Sequence, residues 1–266
     1  VTLLDFPRYV DHIRTESARF RAVLTDCDPE ARVPSCPDWN AGDLLWHLIG
    51  VQDHWATMVA GRPDASPDSY TDPERPGTHA ELLTLFDQTS ARLTDALAGA
   101  DPAEYAWTWN DSDQTVGFII RRQAHEALIH RLDAELAAGA VTPLDAALAA
   151  DGVHEVLGVM YGGCPPWGTF TPSDTAIRVD VTDTGDSMLV VFGRFTGTDE
   201  DGKSYDEDDI NVVESLPGEP VATMSGTAEA LDTWLWRRRR DAADVEFGGD
   251  PETCDRFRAL IDQPIN

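Results

Sequence analysis

The chain has 266 residues, 42% of them hydrophobic. That is an ordinary globular composition with enough length for one large domain or two modest ones. Forty-eight acidic against 20 basic residues give a formal charge of −28, which repels nucleic acid and anionic membranes and excludes both as partners. A small anionic substrate remains compatible with that charge only where a local basic patch meets it. The four cysteines, Cys27, Cys36, Cys164 and Cys254, form no C-x-x-C pair, so neither a zinc ribbon nor a thioredoxin motif is expected. Sparse, unpatterned cysteine suits a reducing cytoplasm. The opening VTLLDFPRYVDHIRTE lacks the basic-then-apolar order of a signal peptide, and no apolar run is long enough to span a bilayer. The expectation is a cytoplasmic protein, a monomer or small homo-oligomer.

In chain order, apolar residues Phe6, Val10, Ile13, Phe20 and Leu24 predict a first helix over 4–25. ARVPSCPDWN then reads as a loop, with Asn40 and Asp43 as a capping pair for a second helix over about 41–60, ended by Gly61 and Pro63. Residues 62–77 are rich in Pro and Asp and read as a surface loop. A third helix is expected over 78–99 and a fourth over 115–138, closed by Gly139, with Trp107 and Trp109 in the loop between them. Four amphipathic helices with longish connections suggest a four-helix bundle. A further helical stretch, 143–160, ends in the break YGGCPPWG. Strands are then expected at AIRVDVTD, SMLVVFGRFTG, INVVES, PVATMSG and VEFGG, with helices at GTAEALDTWLWRRRR and PETCDRFRALI. The chain therefore divides near residue 143 into a mainly α N-terminal domain, 1–142, and a smaller α+β C-terminal domain, 143–266.

The fourth helix carries Glu126 and His130 at i and i+4, on one face and one turn apart. Carboxylate and imidazole both ligate zinc and related divalent metals, but two ligands on one helix need a third from a neighbour. His47, inside the apolar run LLWHLIG, is the natural candidate, since a buried imidazole needs a hydrogen-bond partner or a metal. The spacing is not H-E-x-x-H, and His125 points about 100° away from Glu126 on a helix. On spacing alone, a metal site and a set of ordinary core or surface side chains both remain open.

The stretch from Val33 to Leu48, VPSCPDWNAGDLLWHL, resembles the signature of the mycothiol-dependent maleylpyruvate isomerase family, in which a Pro-x-Trp turn precedes D-L-x-x-H-L. The family's E-x-x-x-H-R-x-D run is similar to the stretch Glu126 to Asp133. LAADGVHEVL looks like its linker helix, and SGTAEALDTWLWRRRRDAADVEFGGDPE resembles its C-terminal domain. The resemblance covers nearly the whole chain in order. It implies a DinB-like metal-binding four-helix bundle followed by a domain resembling a sterol-carrier fold. It places the metal ligands on His47, Glu126 and His130, with zinc the favoured ion and mycothiol the thiol cosubstrate. It also implies a reaction in which thiolate adds to a cis double bond, the resulting single bond rotates, and elimination gives the trans product.

The resemblance gives Arg238 the role of binding a substrate carboxylate, although the family's W-G-R here reads Trp236-Arg237-Arg238 and four arginines run to Arg240. The same run can instead complement the helix C-terminal dipole. His54, seven residues after His47 on the same face, is a candidate to orient substrate or thiol. Asp133, one turn beyond His130, is a candidate partner for a ligating imidazole, and Trp39 is expected to pack the turn. A metal-dependent isomerase or S-transferase, a metal-dependent hydrolase and a non-catalytic metal or small-ligand binder are the functions these residues leave open.

Overall fold

Each long helix of the N-terminal half starts on a side chain that closes its first turn, so its unpaired backbone N–H groups are satisfied locally. The computed structural model describes residues 3–239 and 244–262. Helix α1 spans Phe6–Asp26, capped by Asp5, with proline in its first turn. Helix α2 spans Ala41–Ala60 and opens on the reciprocal Asn40–Asp43 capping box. Helix α3, His79–Ala98, opens on a second box, Thr78 with Glu81. Helix α4, Val116–Ala138, is capped by Thr115 and ends at Gly139, whose φ of 69° is the left-handed conformation that glycine adopts without cost.

These four helices form one compact unit, Leu4–Pro143, in which α1 packs on α4 and α2 on α3. The core is Leu44, Leu45, Leu48 and Ile49 of α2 against Phe20, Leu24, Leu82 and Phe86, all at most 5% exposed. Burying each such side chain contributes about 1.5–3 kcal/mol. That apolar stripe fixes the rotation of α2 about its axis, and with it the direction in which His47 points. Helix α4 departs from the amphipathic pattern expected of it. It is buried along almost its whole length, including Arg122, His125, His130, Arg131, Asp133 and Glu135, so it is the central helix of the unit and its polar groups need internal partners.

The residues from Leu144 onward form the second unit. The helix expected over 143–160 is in fact two pieces, α5 over Ala146–Glu155 and a π-helical segment over Val156–Tyr161. The segment stops at Gly162, where a Cβ would lie 2.6 Å from the Leu157 carbonyl oxygen and 2.9 Å from that of Ile210. A five-stranded sheet follows in the order β3-β2-β1-β4-β5, with β1 parallel to β4 and the other pairs antiparallel. The strands are β1 Gly168–Val181, β2 Ser187–Thr198, β3 Ser204–Val213, β4 Ala222–Gly226 and β5 Glu246–Gly249, with α6 at Ala228–Leu235 and α7 at Pro251–Leu260. Strand β1 begins well before Ala176 because an irregularity between Pro172 and Ala176 accommodates the proline. Strand β3 extends through the acidic run 204–209. As an edge strand it tolerates charge, and Arg194 of β2 binds Asp206 and Asp208 across the ladder.

The end of α6 explains the arginine-rich stretch. Arg237 N–H donates to the Trp234 carbonyl and Arg238 N–H to that of Thr233, at 3.0 and 2.8 Å, the bond pattern of a Schellman C-cap. The residue that must turn left-handed in such a cap is Arg237, at φ 63°. The resemblance implies a glycine at this position, and a side chain there costs roughly 1–2 kcal/mol. The Arg238 guanidinium turns back to the Trp236 carbonyl at 2.7 Å, and Arg239 pairs with Glu229. Arg240 lies outside the described residues. Arg237→Gly is expected to stabilise the protein by ~1 kcal/mol, raising its thermal midpoint by a few degrees. The exposed Arg237–Asp262 pair it removes contributes little. Arg237→Ala, which keeps the left-handed side chain, should show no such gain, and equal midpoints for the two variants would refute the assignment.

Candidate metal centre

The loop before α2 folds back on itself and delivers two residues to the centre. Val33 N–H donates to the Trp39 carbonyl at 3.1 Å and Trp39 N–H to that of Cys36 at 2.9 Å, while Ala41 and Gly42 bond back to Ala31 and Pro29. This compact turn lays the Trp39 indole on the His47 imidazole, ring centroids 4.7 Å apart, and places Ser35 against α4.

His47 of α2 and the Glu126/His130 pair of α4 converge. His47 Nε2 is 3.1 Å from His130 Nε2 and 3.5 Å from Glu126 Oε1, and His130 Nε2 is 3.0 Å from the same carboxylate oxygen. Among the described residues this is the one group of three such side chains with donor atoms within 4.8 Å of one another. Donors bound about 2.0–2.2 Å from a tetrahedral zinc stand roughly 3.3–3.5 Å apart, so the spacing fits a divalent cation with only small adjustments. The chemistry of the set fits as well. Two imidazoles and one carboxylate leave a fourth position for an exchangeable ligand.

The two donors of α4 are held from behind. Asp133 Oδ2 lies 2.9 Å from His130 Nδ1, and its Oδ1 accepts from Ser35 Oγ at 2.5 Å. With Nδ1 turned to the Asp133 carboxylate, Nε2 is the atom that faces His47 and Glu126, and its lone pair becomes available once the ring is neutral. Arg122, one turn before Glu126, donates to its other oxygen, Oε2, at 2.7 Å, leaving Oε1 for the centre. Burial alone would push the Glu126 carboxyl up. The Arg122 guanidinium and hydrogen bonds from His130 and His47 outweigh it and hold Glu126 well below the usual carboxylate range. Burial likewise opposes charge on His130, but Asp133 and Glu126 raise its pKa to about 9.

His54 sits in an aromatic pocket, its ring 4.8 Å from Tyr70, 5.0 Å from Trp55 and 6.0 Å from Trp107. Burial lowers its pKa, against the opposing pull of Asp72 and Asp53. His125 is fully buried, edge-on to Tyr9. Arg238 belongs to the second unit, at the C-cap described above. Sequence reasoning overlooked Arg122 and Ser35. The first has a visible signal, its i,i+4 spacing to Glu126. The second has none, because 98 residues separate Ser35 from Asp133.

A family model described as the mycothiol maleylpyruvate isomerase N-terminal domain matches residues 10–135, and one described as the MDMPI C-terminal domain matches residues 147–256. Among solved structures, the chain is similar to a mycothiol-dependent maleylpyruvate isomerase at TM-score 0.57 and 14% identity, over 93% of this chain and 95% of that one. A histidine-to-alanine mutant of that isomerase matches with the same values. At this identity the likeness is one of fold. No curated protein sequence matches the chain. Among the described residues no helix is long and apolar enough to cross a membrane.

Without a cation, the raised pKa of His130 puts a proton where the donors converge, so a metal must displace it. Affinity for zinc is expected to rise about tenfold per pH unit from neutrality to about pH 9 and then level off. Calorimetry in buffers of different ionisation enthalpy should register about one proton released per ion near pH 7.5. A pH-independent affinity would contradict this. Asp133→Ala, which releases the His130 ring, should weaken zinc binding about 10–100-fold.

Proposed function

Because the chain belongs to the mycothiol-dependent maleylpyruvate isomerase family, we propose that it is a metal- and mycothiol-dependent enzyme acting on a small, electrophilic, unsaturated acid, as a cis–trans isomerase or a thiol S-transferase. The observation that supports this most strongly is the convergence of His47, Glu126 and His130 from two helices, within 4.8 Å, inside the segment that the N-terminal family model matches. Zinc is the favoured ion because two imidazoles and a carboxylate suit it, and the cytoplasm is the proposed compartment.

His47 Nε2, His130 Nε2 and Glu126 Oε1 would hold the cation. When bound, it lowers the pKa of a thiol as it does that of water. Asp133 and Ser35 keep the His130 ring in its working orientation, and Arg122 keeps one Glu126 oxygen turned to the centre. Trp39 packs against the His47 ring and helps hold its orientation. Arg238 is the proposed partner of a substrate carboxylate, and His54 the proposed aid in orienting substrate or thiol. Mycothiol sulfur adds to the cis double bond, the new single bond rotates, and loss of the sulfur returns the trans acid with mycothiol regenerated. An S-transferase would stop at the adduct.

Zinc-loaded protein supplied with maleylpyruvate is expected to yield trans product or a sulfur adduct only when mycothiol is present. His130→Ala should reduce that turnover at least 100-fold. Equal turnover with and without thiol would overturn the reading and favour a hydrolase using bound water.

A further inference from the structure

Between α2 and α3 the chain forms a strap, residues 62–77, that is held by few contacts. None of these residues is buried, and among the described residues no backbone–backbone hydrogen bond ties 71–77 to the helices. Pro63, Pro67, Pro73 and Pro76 restrict φ along the strap, so it is stiff and moves as one piece. Segments with so little burial open locally at low free-energy cost.

Two side-chain ties hold the strap against α2. The Tyr70 hydroxyl donates to Asp53 Oδ2 at 3.1 Å, and the Arg75 guanidinium donates to Asp43 Oδ1 at 2.9 Å. The two carboxylates stand ten residues apart on α2, which is about 15 Å of helix. That is close to the reach of the extended stretch from Tyr70 to Arg75. The Tyr70 tie is the better built. Arg92 of α3 binds Asp53 Oδ1 and, at 3.0 Å, the Asp53 carbonyl, which leaves Oδ2 for the hydroxyl. The Tyr70 ring stands edge-on to His54. Burial and the Asp53 carboxylate push the Tyr70 pKa up, so the hydroxyl keeps its proton and donates at any working pH.

Under the strap lies a cleft of about 520 Å³, with Trp46, His47 and Gly50 of α2 on one side and Asp72 and Arg75 of the strap on the other. His47 is the most open of the three donors, its side chain 33% exposed against 18% for Glu126 and 8% for His130, and it lines the cleft. The approachable side of the donor set therefore faces the strap. We propose that residues 70–75 form a lid over the His47 side of the centre, latched by Tyr70 on Asp53 and by Arg75 on Asp43, and that release of the Tyr70 latch admits a cation to the donor atoms. The lid stands on the geometry of the strap, and its effect on the cation rests on the metal reading of the centre.

Gly50→Cys places a thiol under the strap, at a position where a Cβ meets nothing within 4 Å. In the metal-free full chain, alkylation of that thiol by a bulky maleimide, located by peptide mass spectrometry, is expected to be slow. It should quicken about tenfold when Tyr70→Phe removes the hydroxyl but keeps the ring on His54, while labelling of Cys27 in the same unit stays unchanged. Equal rates at position 50 with and without the hydroxyl would overturn the lid. In the chain that keeps Gly50, Tyr70→Phe should raise the rates of zinc uptake and of zinc loss to a chelator by the same factor and leave the affinity unchanged, and Arg75→Gln should act in the same direction. Weaker affinity with unchanged uptake would make Tyr70 a support of the centre and overturn the gate. Faster labelling in a protein that takes up no zinc would instead uphold the lid and sink the metal reading.

Discussion

The packing of α2 against α4 is the constraint on which the rest of the centre depends. Glu126 and His130 are fixed by one helix and need only helical geometry to be neighbours. His47 comes from a different helix, and its Nε2 reaches within 3.1 Å of His130 Nε2 because the leucine-rich face of α2 is locked into the core. A rotation of α2 by one residue would carry the imidazole about 100° away and expose Leu44 and Leu48. The hydrophobic core therefore sets the aim of the one donor that the α4 pair cannot supply.

Helix α4 carries its charges into the interior, where an unpaired ion is strongly destabilising. They are tolerated because each has a nearby partner. Arg122 meets Glu126, His130 meets Asp133, and Arg131 binds Glu16 and Glu135, the last also held by Thr142. The result is a rigid polar column along one helix, with the donor atoms at one level and their supports a turn above and below. Positioning groups of this kind make a site specific in geometry while the surrounding packing supplies stability.

Much of this was legible in the sequence. Helices α1, α2 and α3 announce themselves through apolar periodicity and caps, α4 through its closing Gly139, and α2 runs over the range its capping pair and Gly61 imply. The pairing of Glu126 with His130 follows from spacing alone. What spacing could not supply was the meeting of α2 with α4; there His47 was named from its place in the apolar run LLWHLIG, and the family resemblance pointed to the same residue. Other features were hidden for physical reasons. Central burial of α4 is not visible in a sequence rich in charge, since only tertiary partners make it tolerable. The π-helical segment depends on Gly162 meeting β3, and the length of β1 on a bulge beside Pro172, both long-range matters. The loss of glycine at Arg237 was plain in the sequence, but its meaning needed the backbone, where that residue proves to be the left-handed turn of a helix cap.

The central claim is that His47, Glu126 and His130 together hold a single divalent cation. Elemental analysis of protein saturated with zinc and then dialysed tests it most directly, comparing the wild type with His47→Ala. One ion per chain in the wild type and almost none in the variant is the result expected. A variant that keeps its full complement of zinc, folded and with an unchanged thermal midpoint, would contradict it.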